Sequence, residues 1–255
     1  MQTKDIKTSV QQQFEQVAAN YVTSQTHAAG VDLAEMVKAA RLTGNERVLD
    51  AGCGTGHTAL AFAPHVAQVI AVDFTEGMLA QGRKLAAERG IANVEFRLGD
   101  VEKLAFRPGE FDLVVSRYSA HHWPHPQRAL QEIHRVLKPG SSFILSDVVS
   151  FDDPVLDTYV QAIEVLRDPS HVRDHSAVQW LQMLEGGGFD AHIAYTWDVS
   201  LELVNWVERM ATPPVLVAAI RALFAAAPQE VRTALKVAAD ESFAWPGGLF
   251  HAVKI

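Results

Sequence analysis

The sequence predicts an α/β protein built on a doubly wound sheet, and three observations carry that expectation. Short aliphatic runs alternate with helical patterns through the first 150 residues, the arrangement that parallel strands joined by crossover helices produce. Two of the runs, Val69-Ile70-Ala71-Val72 and Leu113-Val114-Val115, lack a polar residue at every second position, as strands covered on both faces do. The chain is also long enough, at 255 residues with 48% hydrophobic side chains, to bury a sizeable core without a disulfide or metal staple.

The elements follow in order. Ile6, Val10, Phe14, Val17 and Tyr21 share one helical face, which predicts an amphipathic helix over 5–21. Leu33, Met36, Val37 and Ala40 give a second helix, ending before the turn Thr43-Gly44-Asn45-Glu46. Strands are then expected at 47–51, 69–72, 94–98, 113–115 and 143–149, with helices at 57–63, 76–88 and 127–137 between them. Asp152-Asp153-Pro154 caps a helix running to Leu166, and a helix over 177–184 stops at Gly186-Gly187-Gly188. A strand at 189–199, three short helices at 201–210, 213–226 and 229–239, and a last strand at 249–255 complete the chain. The expected organisation is one domain over 1–255, with N-terminal helices to 45, a cofactor-binding core over 46–150, and substrate-side and cap helices over 151–188 and 200–242.

Composition narrows the function. Thirty acidic against 22 basic residues give a net charge of −8 with no basic run, which argues against a protein that tracks nucleic-acid phosphates. Residues 1–13 lack the apolar core of a secretory signal and Cys53 is the only cysteine, so a cytoplasmic location is expected. The most apolar stretch, 211–227, is interrupted by Pro213, Pro214 and Arg221, whereas a membrane span needs about 20 mostly apolar residues.

The most informative segment is Val48-Leu49-Asp50-Ala51-Gly52-Cys53-Gly54-Thr55-Gly56, a strand running into closely spaced glycines at the start of a helix. Such a loop lets a ligand approach bare backbone. Asp73 ends the second strand, where a carboxylate can accept hydrogen bonds from ribose hydroxyls. The dinucleotide spacing G-x-G-x-x-G fails, because His57 stands where its third glycine belongs, and no Gly-Lys-Ser/Thr follows for a P-loop. Asp50, Asp73 and Asp100 place carboxylates at or just past strand ends with no Lys or Arg in the glycine loop, a pattern suited to a cationic cofactor without phosphates.

With these motifs the segment 47–149 resembles the class I S-adenosylmethionine-dependent methyltransferases. Val48 to Gly56 is similar to the family's first motif, Val72-Asp73 to its ribose-binding acid, Gly99-Asp100-Val101 to its adenine-side loop, Phe111 to Val115 to its fourth strand, and Arg135 to Gly140 to the turn before its fifth. Within the family the pattern resembles the small-molecule branch that includes the UbiE quinone-biosynthesis enzymes, and Arg167 to Arg173 is similar to YcgJ-like members. Ser141 departs from the second glycine usual in that turn. The resemblance implies a Rossmann-like sheet, mostly parallel with an antiparallel last strand, and S-adenosyl-L-methionine as cofactor. It implies that Gly52, Gly54 and Gly56 pass under the methionine part, and that Asp50, Cys53 and Thr55 of the same loop also bind the cofactor. Asp73 would hold the ribose, Phe74 and Met78 flank the adenine, Asp100 and Val101 take its edge, and Arg117 lie beside the cofactor near its carboxylate.

The expected function is methyl transfer to O, N or C of a small, partly apolar acceptor. His121 and His122, just past the fourth strand, are the candidate catalytic residues, with hydrogen-bonded scaffolding as the alternative role. Only one is expected to face the pocket, since neighbours on an extended segment point to opposite sides. Tyr21 and His27 are candidates to close over the cofactor, and His171 and Arg173, in a polar cluster with Asp174 and His175, to contact substrate. Trp180, Trp197, Trp206 and Trp245 are expected in core or cap, with one or two lining the substrate pocket. No metal site is expected, since His121, His122 and His125 lack a fourth ligand at suitable spacing. An NAD(P)-dependent oxidoreductase and a catalytically silent cofactor-binding protein are the alternatives.

Overall fold

The computed structural model describes residues 5–22, 28 and 30–255. A seven-stranded sheet in the order β3-β2-β1-β4-β5-β7-β6 forms its centre. The strands are β1 (Arg47–Ala51), β2 (Gln68–Asp73), β3 (Val94–Leu98), β4 (Phe111–Arg117), β5 (Leu137–Val148), β6 (Phe189–Glu202) and β7 (Ser242–Lys254). β1 to β5 are parallel, and β7 runs antiparallel to both its neighbours. The α-helices are α1 (Ile6–Val22), α2 (Val31–Ala39), α3 (His57–Phe62), α4 (Glu76–Glu88), α5 (Pro126–Val136), α6 (Pro154–Arg167), α7 (Ala177–Gly186), α8 (Leu203–Arg209), α9 (Pro214–Ala226) and α10 (Gln229–Ala234).

The runs without polar alternation are the central strands: Val69, Ile70 and Ala71 on β2 and Val114 and Val115 on β4 are wholly buried. β3 is an edge strand, and Leu98 there is 61% exposed, so covering on both faces holds for the centre and not for the rim. One core cluster packs α5 and α7 on one side of the sheet through Leu130, Ile133, Trp180 and Leu184. A second packs α2 and α3 on the other through Met36, Ala59 and Phe62. The expected caps are present: the Asp153 carboxylate accepts from Val155 N and Leu156 N at the start of α6, and Ser176 and Gln179 close a capping box on α7.

The larger boundary differences from expectation are four, the first being that β5 begins at Leu137 and not at 143. The last strand begins at Ser242, seven residues earlier than expected, and pairs in register with β6 from Phe189↔Lys254 to Glu202↔Ser242. Pro246-Gly247-Gly248 reads as a break, yet Gly247 is required inside the strand: a Cβ there would stand 2.4 Å from the Trp197 indole. Leu201 therefore lies within β6, which runs to Glu202, and does not open a helix. The helix over 229–239 stops at Ala234, and Lys236 follows at φ 53°.

Of the helices expected to cover the site, α9 and α10 pack through Ile220, Phe224, Val231 and Leu235 onto Val160 and Ile163 of α6, forming a third core cluster beside the sheet. Among the described residues no helix is long and apolar enough to cross a membrane.

Candidate active site

At the carboxyl ends of β1, β2 and β4 the glycine loop, the β2 end and α1 enclose a cleft of about 620 Å³. Gly52, Cys53, Gly54 and Thr55 line it with Asp73, Phe74 and Met78, under Val10, Phe14 and Tyr21 of α1. Gly52 sits at φ +76° against β4's exit, and a Cβ there would meet Ser119 Oγ at 2.0 Å, so this position admits only glycine.

The backbone donors of the loop are engaged internally. Gly52 N and Cys53 N both donate to Val72 O, at 2.8 and 2.9 Å, Gly54 N donates to Asp73 Oδ2 at 2.9 Å, and Gly56 N to Cys53 O at 2.8 Å. A pyrophosphate cradle needs such N–H groups turned outward. The Asp73 carboxylate, fixed by Gly54 N and Thr75 N, faces the cleft, and burial raises its pKa against those two hydrogen bonds. Cys53 is buried, which pushes its thiol well up, and it serves as a small wall residue.

Two loop residues stand elsewhere than expected. Asp50 does not line the cleft: it lies 1% exposed behind the loop, its Oδ2 accepting from Ala59 N, and burial lifts its carboxyl to about 7. Gly56 is not a lining residue either; at φ +81° it opens α3, with Phe96 where a side chain would go. Arg117 does line the cleft, but its Nε and one Nη are turned onto Asp32 of α2, at 2.5 and 2.9 Å. The fork expected to reach a cofactor carboxylate is thus held in a buried ion pair.

Next to the cleft, a smaller recess is lined by Asp100 and Val101 together with Phe74, Trp123 and Lys7. Lys7 of α1 reaches Asp100 Oδ2 at 2.6 Å and Glu102 Oε2 at 2.8 Å. Gln11 Nε2 bonds Phe74 O and the Glu15 carboxylate accepts from Gly77 N, so α1 is fastened along the β2–α4 turn. At the other end Gln13 and Asn20 donate to Met210 O and Arg209 O at the C-terminal end of α8.

Phe14, Tyr21, Tyr118 and His122 separate the cleft from a second chamber of about 510 Å³, walled by Val199, Leu201, Trp206 and Trp245. Tyr118, at the doorway, has φ 50°, a left-handed conformation that costs about 1–3 kcal/mol in a bulky residue and marks a site where position matters more than local stability. Of the three helices between β6 and β7, only α8 reaches the chamber, through Trp206 and Arg209.

Both histidines line this chamber, against the expectation that one would turn away. Residues 120–122 form a 3₁₀ turn and not an extended segment, so the His121 and His122 rings lie side by side with centroids 4.3 Å apart. Asp147, 1% exposed at the end of β5, accepts from His121 Nδ1 at 2.7 Å and from the backbone N–H groups of Ala120 and His121. Burial opposes a charge on His121, but the Asp147 carboxylate outweighs it and lifts the imidazole to about 9. Burial and the neighbouring His121 charge push His122 down to about 3, so it is neutral at the doorway, edge-on to Phe14.

The remaining candidates divide. Tyr21 lines both chambers. His27 lies outside the described residues. His171 is buried behind the pair, its ring 5.9 Å from that of His121, and lines neither chamber. Arg173 points away, donating to Asp157 of α6 at 2.7 Å, on a groove between α5 and α7. Among the described residues no group of three His, Cys, Asp or Glu side chains forms a metal site.

Asp32, Asp147, Glu164, Arg167 and Arg209 are the additions that sequence reasoning missed. A signal for two of them exists: Val160, Ile163, Glu164 and Arg167 fall on one face of α6, and charged residues inside an otherwise apolar stripe are unusual.

A methyltransferase domain model matches residues 42–188. The chain is 39% identical over 200 residues to an uncharacterized methyltransferase, YcgJ, of Bacillus subtilis, covering 78% of this chain and 79% of that one. It is likewise 39% identical over 192 residues to the uncharacterized protein YafE of Escherichia coli, covering 75% and 93%. The crystal structure of YcgJ superposes with a TM-score of 0.85 at 35% identity, over 87% of this chain and 97% of that one. Glycine loop, acidic strand end, strand order and these relatives agree, and the chain belongs to the class I S-adenosylmethionine-dependent methyltransferases.

Proposed function

We propose that the protein transfers a methyl group from S-adenosyl-L-methionine to an O, N or C atom of a small, partly apolar acceptor. One observation carries this reading: a cleft in which the N–H groups of Gly52, Cys53, Gly54 and Gly56 are engaged internally, so that it suits a cofactor without phosphates, shares the walls Phe14, Tyr21, Tyr118 and His122 with a chamber lined by apolar and aromatic side chains. The cofactor supplies the electrophilic methyl on its sulfonium. Asp73 would hold the ribose, Phe74 and Met78 the adenine, Asp100 and Val101 its edge, and Gly52, Cys53, Gly54 and Thr55 the methionine part.

The chain's own contribution is positioning. In-line methyl transfer needs the acceptor's nucleophilic electron pair aligned with the methyl–sulfur bond, and holding that alignment can supply about 7–11 kcal/mol of barrier reduction. α1 and Tyr118 exclude water around the doorway. His121, an imidazolium at neutral pH, donates a hydrogen bond to an acceptor oxygen, and it gains a proton-accepting lone pair only as pH approaches about 9. His122, neutral, would present an uncharged ring to the cofactor and acceptor from the wall that the cleft and chamber share.

Two measurements test this. In thermal shift, S-adenosylmethionine and S-adenosylhomocysteine are expected to stabilise the protein by about 2.7 kcal/mol at 100 times their dissociation constants, and NAD and NADP not at all. Stabilisation by a dinucleotide alone would overturn the reading. The second concerns the histidine roles. Asp147→Asn removes the carboxylate that holds His121 up, so the imidazole falls from about 9 to its ordinary 6.5 or below, read from its Cε1–H resonance against pH. Because the folded pKa is raised, the wild type holds this stability in full below about pH 6.5 and loses it as pH rises through about 9, a slope absent from the variant. An unshifted resonance would remove Asp147 from the account of His121.

A further inference from the structure

The second chamber carries more charge than an apolar acceptor requires. Glu164 and Arg167 enter it from α6 and Arg209 from α8. Arg167 is 7% exposed, its guanidinium 4.6 Å over the Trp206 ring and its Nε donating to Trp206 O at 3.3 Å. Glu164 answers it only in part: one carboxylate oxygen is 3.5 Å from Arg167 Nη1, and the other accepts the Trp245 indole N–H. Arg209 stands 5.8 Å from the Tyr21 ring centre, and Tyr21 favours the charged form of both arginines. Burial and the charge of Arg167 both disfavour the Arg209 cation.

The wall therefore holds two guanidiniums and the His121 imidazolium against one carboxylate. Asp147 balances His121 from outside the chamber. Asp168 lies near Arg167 but is turned to Ser170 and His122, and it is not a lining residue.

We propose that the chamber takes its acceptor as a carboxylate, held between Arg167 and Arg209, with the apolar body of the molecule against Trp206 and Trp245. This rests on the methyltransferase reading above and names the substrate class for it. A planar carboxylate matches the guanidinium fork, and a second anion offsets the repulsion between two arginines that share one glutamate. The aromatic walls supply the apolar contact. A carboxylate gripped in this way has its lone pairs engaged, so the atom that receives the methyl lies elsewhere in the molecule, toward Phe14 and His122.

The test uses the full chain with and without saturating S-adenosylhomocysteine. Benzoate, naphthoate and decanoate are titrated beside their uncharged amides, with tryptophan fluorescence and calorimetry as readouts. At least one carboxylate is expected to bind about tenfold or more tightly than its amide, as hydrogen bonds to a charged group require. Arg209→Met should erase that preference, Arg209→Lys should keep part of it, and the thermal shift with S-adenosylhomocysteine should persist in both. Arg167→Met provides a second, independent removal. Equal binding within every pair, or a preference that survives both Arg→Met changes, overturns the proposal. A wild-type protein that ignores S-adenosylhomocysteine would instead sink the methyltransferase reading, and the comparison made without it would still decide this one.

Discussion

Asp73→Ala is expected to weaken S-adenosylhomocysteine binding by roughly two to four powers of ten, since two ribose hydroxyls donating to one carboxylate contribute about 1.5–3 kcal/mol each. The fold should tolerate the change. Asp73 sits at the cleft wall with a raised pKa, the mark of a carboxylate whose charge is disfavoured by burial, so its removal relieves a cost as well as releasing Gly54 N and Thr75 N toward the cleft. The sign for pH follows. An acid with a raised folded pKa favours the folded state fully below its ordinary 3.8, and that contribution is lost as pH rises through the raised value. Ribose hydroxyls need the ionised form, so affinity should fall on acidification before pH 3.8 is reached, and Asp73→Asn should lack that dependence. Calorimetric titration with S-adenosylhomocysteine measures both effects. Unchanged affinity in the alanine variant would end the assignment of the ribose to this residue.

The second large effect concerns stability. Asp32 is wholly buried and accepts from Arg117 Nε and Nη2 and from Ser146 Oγ. Arg117 is itself 7% exposed and stacks 4.6 Å over the Tyr118 ring. Removing one member of a buried pair leaves the other charge uncompensated, so Asp32→Ala is expected to cost about 3–5 kcal/mol. For a chain of this size that lowers Tm by roughly 6–20 °C. Asp32→Leu combined with Arg117→Met should recover most of the loss, because an apolar pair of similar volume leaves no charge in the interior. Denaturant unfolding of the single and double variants decides the point; a single variant within about 1 kcal/mol of wild type would show the pair to be solvated. Because Arg117 lines the cleft and adjoins Tyr118 at the doorway, the single variant should also bind S-adenosylhomocysteine less well.

Cleft-lining residues that lie close together along the chain were legible in the sequence. β1, the glycine loop and the start of α3 are one continuous segment, and Asp73, Phe74 and Met78 follow β2 directly, so strand-loop-helix chemistry places them together whatever the rest of the chain does. The α6 and α7 starts were legible for the same reason, since a cap is a bond between residues two or three apart. The 3₁₀ turn at 120–122 was not: three residues carry too little periodicity to separate a turn from an extended segment, and that difference decides whether one histidine or both face the chamber.

By itself, then, the sequence determined the sheet, its parallel core and the glycine loop, because apolar periodicity and glycine spacing act over a few residues. Tertiary structure alone decided the partners of the charges. Asp32 and Arg117 are 85 residues apart, His121 and Asp147 are 26 apart, and Arg167 and Arg209 meet at Tyr21 from three different helices. A buried charge takes whichever counter-charge the packing brings within about 4 Å, and that distance is set by the register of whole helices on the sheet. The same register turned Arg173 onto Asp157, a carboxylate contact that no local pattern encodes.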